Sequence, residues 1–360
     1  MPRVGVYMKG SRKLIAGCAA AVMACAAGLP DAAACTRVVY EGPGRTVLTA
    51  RSMDWKDEID PDIWVFPRGM RRSGEVGPRS VEWTSKYGSV IASAWNMATT
   101  DGMNEKGLVA NLLWLAESKY PDFDPAGGTP GLSVSLWAQY VLDNFATVAE
   151  AVEFLGRDPF VVVSDYIPGT RKFTSLHLSI SDAGGDNAIF EYIDGRLVIH
   201  HDPSYTVMTN SPVFEQQLAL DAYWRGIPGT LFLPGTNRAA DRFVRASYYI
   251  RAIPATDDMR IAVASVFSVI RNCSVPFGIS SESEPNISST RWRSVSDQKN
   301  RVYFFETALT PDVFWVDLTD FDLSPEAPVM KLSLADYVTY NGKANESFRP
   351  AEPFRFIGIR

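Results

Sequence analysis

The sequence predicts an α+β fold built in layers, on three observations. Strand-like and helix-like patterns come in segregated runs: strands, helices, strands, helices, and strands again. That order is not the strict alternation of a parallel α/β sheet. The chain has 360 residues, 46% apolar and 21% charged, enough to bury a sizeable core. No internal repeat, linker or low-complexity tract interrupts it, so residues 35–360 are expected to form a single domain.

The N-terminal composition stands apart. Arg3, Lys9, Arg12 and Lys13 precede the apolar block Leu14 to Leu29, and Ala32 and Ala34 hold the −3 and −1 positions of a cleavage site before Cys35. This predicts a signal peptide over 1–34 that is removed. The apolar block is shorter than the ~20 residues a spanning helix needs. The expectation is an exported protein, periplasmic in a Gram-negative cell, with no stable membrane anchor after cleavage. Cleavage removes four positive charges and one negative, taking the formal net charge from −6 to −9. With no long basic run after residue 13, a nucleic-acid partner is not expected. Cys18 and Cys25 leave with the peptide. Cys35 and Cys273 remain, too few for a disulfide framework but able to pair with each other. A non-enzymatic alternative is a lipoprotein anchored through Cys35. Against it, Ala32 stands where a lipobox carries a larger aliphatic residue, and "IAGC" at Ile15 to Cys18 comes too early.

The elements follow in order. "TRVVYEGPGRTVLTARSMDW" predicts a hairpin: Val38 to Tyr40, a turn at Gly42-Pro43-Gly44, then Thr46 to Ser52. Alternation puts Arg51 and Asp54 on opposite faces, so serving one site together requires the strand to end or bulge near Ser52. In "YGSVIASAWNMATTDGMNEKGLVANLLWL" strand-like runs flank expected turn residues Asp101-Gly102 and Asn104. A helix is expected over 132–145 and another from "TVAEAVEFLG", where Thr147 and Glu150 have capping-box spacing. Strands "TSLHLSIS", "AIFEYI" and "RLVIHHD" come next, split by "DAGGD" and Asp194-Gly195 turns. "TVMTNSPVF" continues strand into turn. Helices "AADRFVRASYYIRAI" and "MRIAVASVFSVIRNC" precede strands "NRVYFFETAL" and "VFWVDL".

Several common chemistries are missing from the sequence. There is no Walker A loop, no G-x-G-x-x-G after a strand, no H-E-x-x-H, no paired C-x-x-C and no G-x-S-x-G elbow. The three histidines, His177, His200 and His201, lie in strand patterns without evident partners, and zinc ligands are scarce. Cys35 offers a nucleophile that needs no histidine. Its α-amino group, once freed, has an ordinary pKa of about 7.7–8.0 and can take the thiol proton itself. Such a site also needs a cation near the sulfur and donors aimed at the oxyanion. A short hairpin can return Arg51 and Asp54 beside Cys35, although a surface ion pair explains that spacing equally well.

"CTRVVYEGPGRTVLTARSMDW", "DGMNEKGLVANLLWL", "VMTNSPVFEQQL" and "DRFVRASYYI" together resemble the choloylglycine hydrolase family of N-terminal nucleophile hydrolases. That family includes penicillin V acylases and conjugated bile acid hydrolases. The resemblance runs from Cys35 to about Trp292. It implies a four-layer αββα sandwich, hydrolysis of linear amide C–N bonds through a thioester, and no cofactor or metal. Position by position it implies catalytic roles for Cys35, Arg51, Asp54, Asn210 and Arg242. Trp114 falls where bile-acid-cleaving members carry an asparagine of the oxyanion hole. An indole cannot replace that amide, leaving a backbone N–H or, with an alignment gap, Asn111. Trp55 and Trp114 then shape an aromatic acyl pocket. This favours phenoxyacetyl or fatty-acyl amides, as in penicillin V acylases and acyl-homoserine-lactone acylases with their quorum-quenching activity, over conjugated bile acids. A ceramidase-type amidase with lipid amide substrates remains a further alternative. The resemblance also implies a homo-oligomer, a tetramer, although the stretch between Asn210 and Arg242 is shorter than in Gram-positive members, where it carries a hairpin used in tetramer assembly. That shortness, with the export signal, resembles the Gram-negative branch.

Overall fold

Cys35 leads directly into a hairpin of two long strands, β1 (Thr36–Gly42) and β2 (Thr46–Trp55), joined through Pro43–Arg45 with Gly44 at φ 66°. The computed structural model describes residues 35–227, 232–280, 288–310 and 312–359; the expected signal segment 1–34 lies outside the described residues. After the hairpin come β3 (Ile63–Phe66), the small pair β4 (Arg71–Ser73) and β5 (Glu82–Thr84), then β6 (Ser89–Ala94), β7 (Ala98–Asn104) and β8 (Val109–Trp114). The short β9 (Gly131–Ser133) precedes α1 (Trp137–Asn144) and α2 (Val148–Leu155). Next are β10 (Val161–Val163), β11 (Leu176–Ser181), β12 (Asn187–Ile193), β13 (Arg196–His201) and β14 (Val207–Met208). Three helices follow, α3 (Phe214–Arg225), α4 (Ala239–Ala252) and α5 (Met259–Asn272). The chain then forms β15 (Ser289–Asp297), β16 (Val302–Thr307), β17 (Phe314–Asp317), β18 (Met330–Leu332), β19 (Gly342–Lys343) and β20 (Arg349–Pro350).

Two sheets carry the architecture. One runs β14-β1-β2-β15-β16-β17-β19 and the other β13-β12-β11-β8-β7-β6-β3-β18-β20. Helices α4 and α5 cover the first through β1, β2 and β15; α1 and α2 cover the second through β7, β8 and β12. The order is helices, sheet, sheet, helices: the αββα sandwich. Sheet-to-sheet contact includes polar bonds. Thr49 Oγ1 lies 2.7 Å from Ser181 Oγ, and Arg37 Nη2 donates to Asn187 Oδ1 at 2.5 Å. Asp101 accepts from Tyr303 Oη at 2.9 Å and from Ser294 Oγ at 3.0 Å.

Several elements match the sequence pattern. Thr147 caps α2, its hydroxyl accepting from the Glu150 N–H at 3.2 Å, while the Glu150 carboxylate reaches back to the Ala146 N–H. The three-strand run and both later helices lie where expected. Others differ. Asp101-Gly102 is no turn but the middle of β7, and the turns fall at 95–97 and 105–107. Gly102 is needed there because a Cβ would sit 2.7 Å from the Val90 carbonyl oxygen. The helix expected over 132–145 starts later: its first residues form β9 and a 3-10 turn. Helix α3 and the central strand β15 carry no clear periodic pattern in the sequence.

Candidate active site

Pairing across the hairpin sets the site. Thr36 lies opposite Ser52 and Arg37 opposite Arg51, so Cys35, one step earlier, comes level with Met53. On the other side of β1, β14 pairs through Arg37–Met208 and then delivers Thr209 and Asn210 to the same end. Helix α4 lies across β1 and brings Arg242 down from the outer layer. The five residues Cys35, Arg51, Asp54, Asn210 and Arg242, dispersed in sequence, are all buried and form one connected cluster.

The Cys35 backbone nitrogen donates to Asn210 Oδ1 at 2.5 Å. Arg242 ties both partners down, with Nη1 donating to the Cys35 carbonyl at 2.6 Å and Nη2 to Asn210 Oδ1 at 2.9 Å. Its Nη1 also bonds Thr36 Oγ1. Arg51 approaches the sulfur from the opposite side, its Nη2 4.0 Å from Cys35 Sγ. It stacks over the Trp292 ring at 5.1 Å. Arg51 thus lies beside the thiol, while Arg242 holds the carbonyl of the same residue.

β2 neither ends nor bulges at Ser52; it continues to Trp55, and the irregularity lies in its partner β15 between Thr290 and Trp292. Arg51 and Asp54 therefore remain on opposite faces, as alternation dictates. Arg51 points between the sheets, toward Asp101 at 3.9 Å. Asp54 points toward the helices, accepting from Thr290 Oγ1 at 2.5 Å and from Ser52 Oγ at 3.3 Å, with Arg242 Nη1 3.9 Å away. Both serve the site because Arg242 carries the Asp54 face to Cys35. Burial pushes the Asp54 carboxyl up to about 6, against the opposing pull of Arg242 and the hydroxyl donors. Burial likewise lowers the Arg242 guanidinium.

A strand edge organises the rest. The β7–β8 ladder runs only to the Asp101–Asn111 pair. Arg51 bridges the gap beyond it, donating to the Thr100 carbonyl and, at 2.5 Å, to the Leu112 carbonyl. Asn210 Nδ2 takes the next outward carbonyl, that of Trp114, at 2.7 Å. Leu115 N–H donates to Ser175 on the β11 side, so alternation turns the Trp114 N–H to the same edge as Arg51 and Asn210. Asn111 points elsewhere, its Nδ2 donating to Asp101 at 3.0 Å between the sheets.

The thiol opens into a cavity of about 140 Å³ whose walls are mostly apolar. Trp55 and Trp114 line it with ring centroids 5.4 Å apart, and Trp95 meets Trp55 edge-on. The Lys172 ammonium sits 4.2 Å from the Trp55 ring centroid and 4.4 Å from that of Trp114. Neither Trp95 nor Lys172 was picked out from the sequence, because loops far along the chain supply them. Among the described residues no group of three or more His, Cys, Asp or Glu could hold a metal.

The histidines have partners that the sequence hides. His177 Nε2 meets the Thr209 carbonyl at 2.8 Å and Nδ1 meets Glu191 at 3.0 Å; His200 reaches the same carboxylate at 3.4 Å. Glu191 also accepts the Phe214 N–H. Burial raises the Glu191 carboxyl, but bonds from His177, His200 and Phe214 outweigh it and bring it to about 2. These bonds clamp both ends of the turn that presents Asn210. Gln217 clamps its middle, donating to the Asn210 and Pro212 carbonyls. Cys35 and Cys273 are both free thiols.

Residues 35–340 match the family "Linear amide C-N hydrolases, choloylglycine hydrolase family". The chain is 50% identical over 364 residues to a penicillin V acylase of Pectobacterium atrosepticum, covering 95% of this chain and 97% of that one. A solved penicillin V acylase from Agrobacterium tumefaciens is 61% identical, with a TM-score of 0.84 over 90% of this chain and 100% of that one. A solved conjugated bile acid hydrolase from Clostridium perfringens, 22% identical, shares the fold at a TM-score of 0.72 over 86% of this chain and 98% of its own. The chain belongs to the choloylglycine hydrolase family of linear amide C–N hydrolases.

Proposed function

We propose that this hydrolase cleaves N-acyl amides whose acyl group is aryl or aliphatic, of the penicillin V or acyl-homoserine-lactone kind, with Cys35 as its N-terminal nucleophile. The observation that carries the reading is the position of Cys35. Its nitrogen bonds Asn210, its sulfur lies beside Arg51, and its side chain lines a cavity walled by Trp55 and Trp114. A cut after Ala34 turns that nitrogen into a free amine. Asn210 Oδ1 then holds the amine with its lone pair toward Sγ.

The reaction proceeds in two halves. The neutral amine takes the thiol proton, and the sulfur attacks the amide carbon. The oxyanion is met by the Trp114 N–H and the second Nδ2 proton of Asn210, the first being held by the Trp114 carbonyl. The ammonium gives its proton to the leaving nitrogen as the C–N bond breaks, leaving an acyl thioester. Water then adds while the amine takes its proton, and the thiolate departs and is reprotonated. Arg51 stabilises the thiolate in both halves, and Arg242 keeps Cys35 and Asn210 in register. Asp54 balances the charge of Arg242. Asn111 has no part in this scheme, since it bonds Asp101 between the sheets and lines no part of the cavity.

The aromatic walls favour flat or flexible apolar acyl groups, and the rigid fused rings of a bile acid fit this cavity less well. The same reading includes export with removal of residues 1–34, a periplasmic site in a Gram-negative cell, and quorum quenching where acyl-homoserine lactones are cleaved. A homo-oligomer is carried as a family expectation. The deciding experiment compares turnover of penicillin V, an acyl-homoserine lactone and a glycine bile conjugate by the processed protein. The expected order puts either of the first two above the third; preference for the bile conjugate overturns it.

A further inference from the structure

One wall of the cavity comes from a part of the chain outside the family match, which ends at residue 340. After β20 the chain runs in extended form. Phe354 packs edge-on against Trp64 at 5.3 Å and meets Phe356 at 4.7 Å, and the Arg72 guanidinium lies 5.4 Å over the Phe356 ring. This anchors the segment on the second sheet. The next three residues, Ile357, Gly358 and Ile359, line the same cavity as Cys35 and the two tryptophans.

Four hydrogen bonds fix these three residues. Ile357 N–H donates to the Met97 carbonyl and Ile359 N–H to the Glu75 carbonyl, each at 2.9 Å. The hydroxyls of Ser133 and Ser135 both donate to the Ile357 carbonyl at 2.8 Å. Gly358 lies so close to Glu75 that a Cβ would come within 2.6 Å of its carbonyl oxygen. None of these partners is a residue that bonds Cys35. The segment is held from three separate stretches of chain, and Met97, which takes Ile357, lies three residues before Thr100, whose carbonyl Arg51 takes beside the thiol.

We propose that residues 357–359 are an acyl-length gauge: the isoleucines stop the apolar end of the acyl group and so set the chain length this enzyme prefers. This deepens the functional reading above and rests on it for the identity of the ligand. The chemistry needed is an unbranched aliphatic or aryl-terminated acyl group, which gains by burial against isoleucine and is excluded by overlap with it.

The test uses a series of straight-chain N-acyl amides of one amine. The processed protein is compared with Ile359→Ala and Ile359→Trp. Shortening the side chain should move the kcat/KM optimum to longer acyl groups, with the ratio of long to short substrates rising roughly tenfold or more, the discrimination usual for a methylene in an apolar pocket. The tryptophan should move the optimum the other way. Opposite shifts cannot come from a folding defect, which lowers all substrates together. Binding of the free acids to Cys35→Ala, with and without each Ile359 change, gives a second readout that needs no turnover. An optimum unmoved in both binding and turnover overturns the gauge. Shifted binding optima with no amide turnover by the parent protein keep the gauge and overturn the proposed reaction.

Discussion

Cys35 and Cys273 belong to the same hydrophobic core, both are buried, and both touch Arg242. Their surroundings differ in every respect that chemistry requires. Cys273 follows the last turn of α5, and its thiol points at the Arg242 carbonyl 3.8 Å away. Burial pushes that thiol up to about 11. Cys35 faces the guanidinium side of the same arginine through its own carbonyl, has Arg51 on its other flank, and lines an open cavity. In the proposed reaction it is the charge beside the sulfur and the room for a carbonyl carbon, and not depth of burial, that set Cys35 apart from Cys273.

The sharpest way to break this comparison is to weaken the proposed nucleophile while keeping its shape. Cys35→Ser should reduce kcat/KM on the best substrate by at least about a thousandfold, as removal of a covalent nucleophile commonly does. Near-ultraviolet circular dichroism should show that packing is retained. A serine variant within tenfold of the parent would sink Cys35 as the attacking group.

The comparison was partly legible in the sequence. The cleavage-site spacing and the scarcity of histidine single out Cys35, and the hairpin returns Arg51 beside it. The rest depends on chemistry that single-sequence patterns conceal. Helix α3 buries Phe214, Gln217 and Asp221 at helical spacing. Two of those three are polar, so no apolar stripe marks it. Strand β15, "STRWRSVSD", buries polar residues because both of its faces are hydrogen-bonded, Ser294 to Asp101 between the sheets and Thr290 to Asp54 on the helix side. Asp101-Gly102 resembles a turn dipeptide, yet Asp101 is satisfied by Tyr303, Ser294 and Asn111, two of them on the other sheet. The unpaired edge of β8 and the 357–359 wall exist only once distant segments have met.

A second test addresses the pair between the two cysteines. Asp54 and Arg242 are fully buried 3.9 Å apart, and burial disfavours the charged form of each. The Asp54 carboxyl stands at about 6 in the folded protein against an ordinary 3.8. The folded state thus holds this proton more tightly than the unfolded chain. Its contribution to stability is fully present below the ordinary value and is lost as pH rises through about 6. Asp54→Asn removes that titration. Denaturant unfolding should show the stability of the parent relative to the variant falling by about 2 kcal/mol between pH 4 and pH 7, from ~1.4 kcal/mol per pKa unit with a small part already lost at pH 4. Parallel curves would mean that Arg242 holds the carboxylate ionised throughout. The outer cysteine would then share its cluster with a permanent ion pair.

The smallest effect is expected at Cys273 itself. Cys273→Ala removes one sulfur from a fully enclosed site and leaves a small void beside the Arg242 backbone. A loss of about 1 kcal/mol is the scale for deleting one buried methylene-sized group. Cys273 touches the Arg242 carbonyl, whereas it is the guanidinium that bonds Cys35, so kcat/KM should stay within about twofold of the parent. Calorimetry and steady-state kinetics on this one variant therefore separate packing from catalysis. Alkylation gives the same answer by another route. Iodoacetamide followed by peptide mass mapping should label Cys35 first and Cys273 only after unfolding, because an enclosed thiol pushed up to about 11 offers almost no thiolate near neutral pH. A rate that falls with Cys273 as steeply as with Cys35, or equal labelling of the two in the folded protein, would erase the distinction. Reactivity would then have to be sought in a property the two sites share.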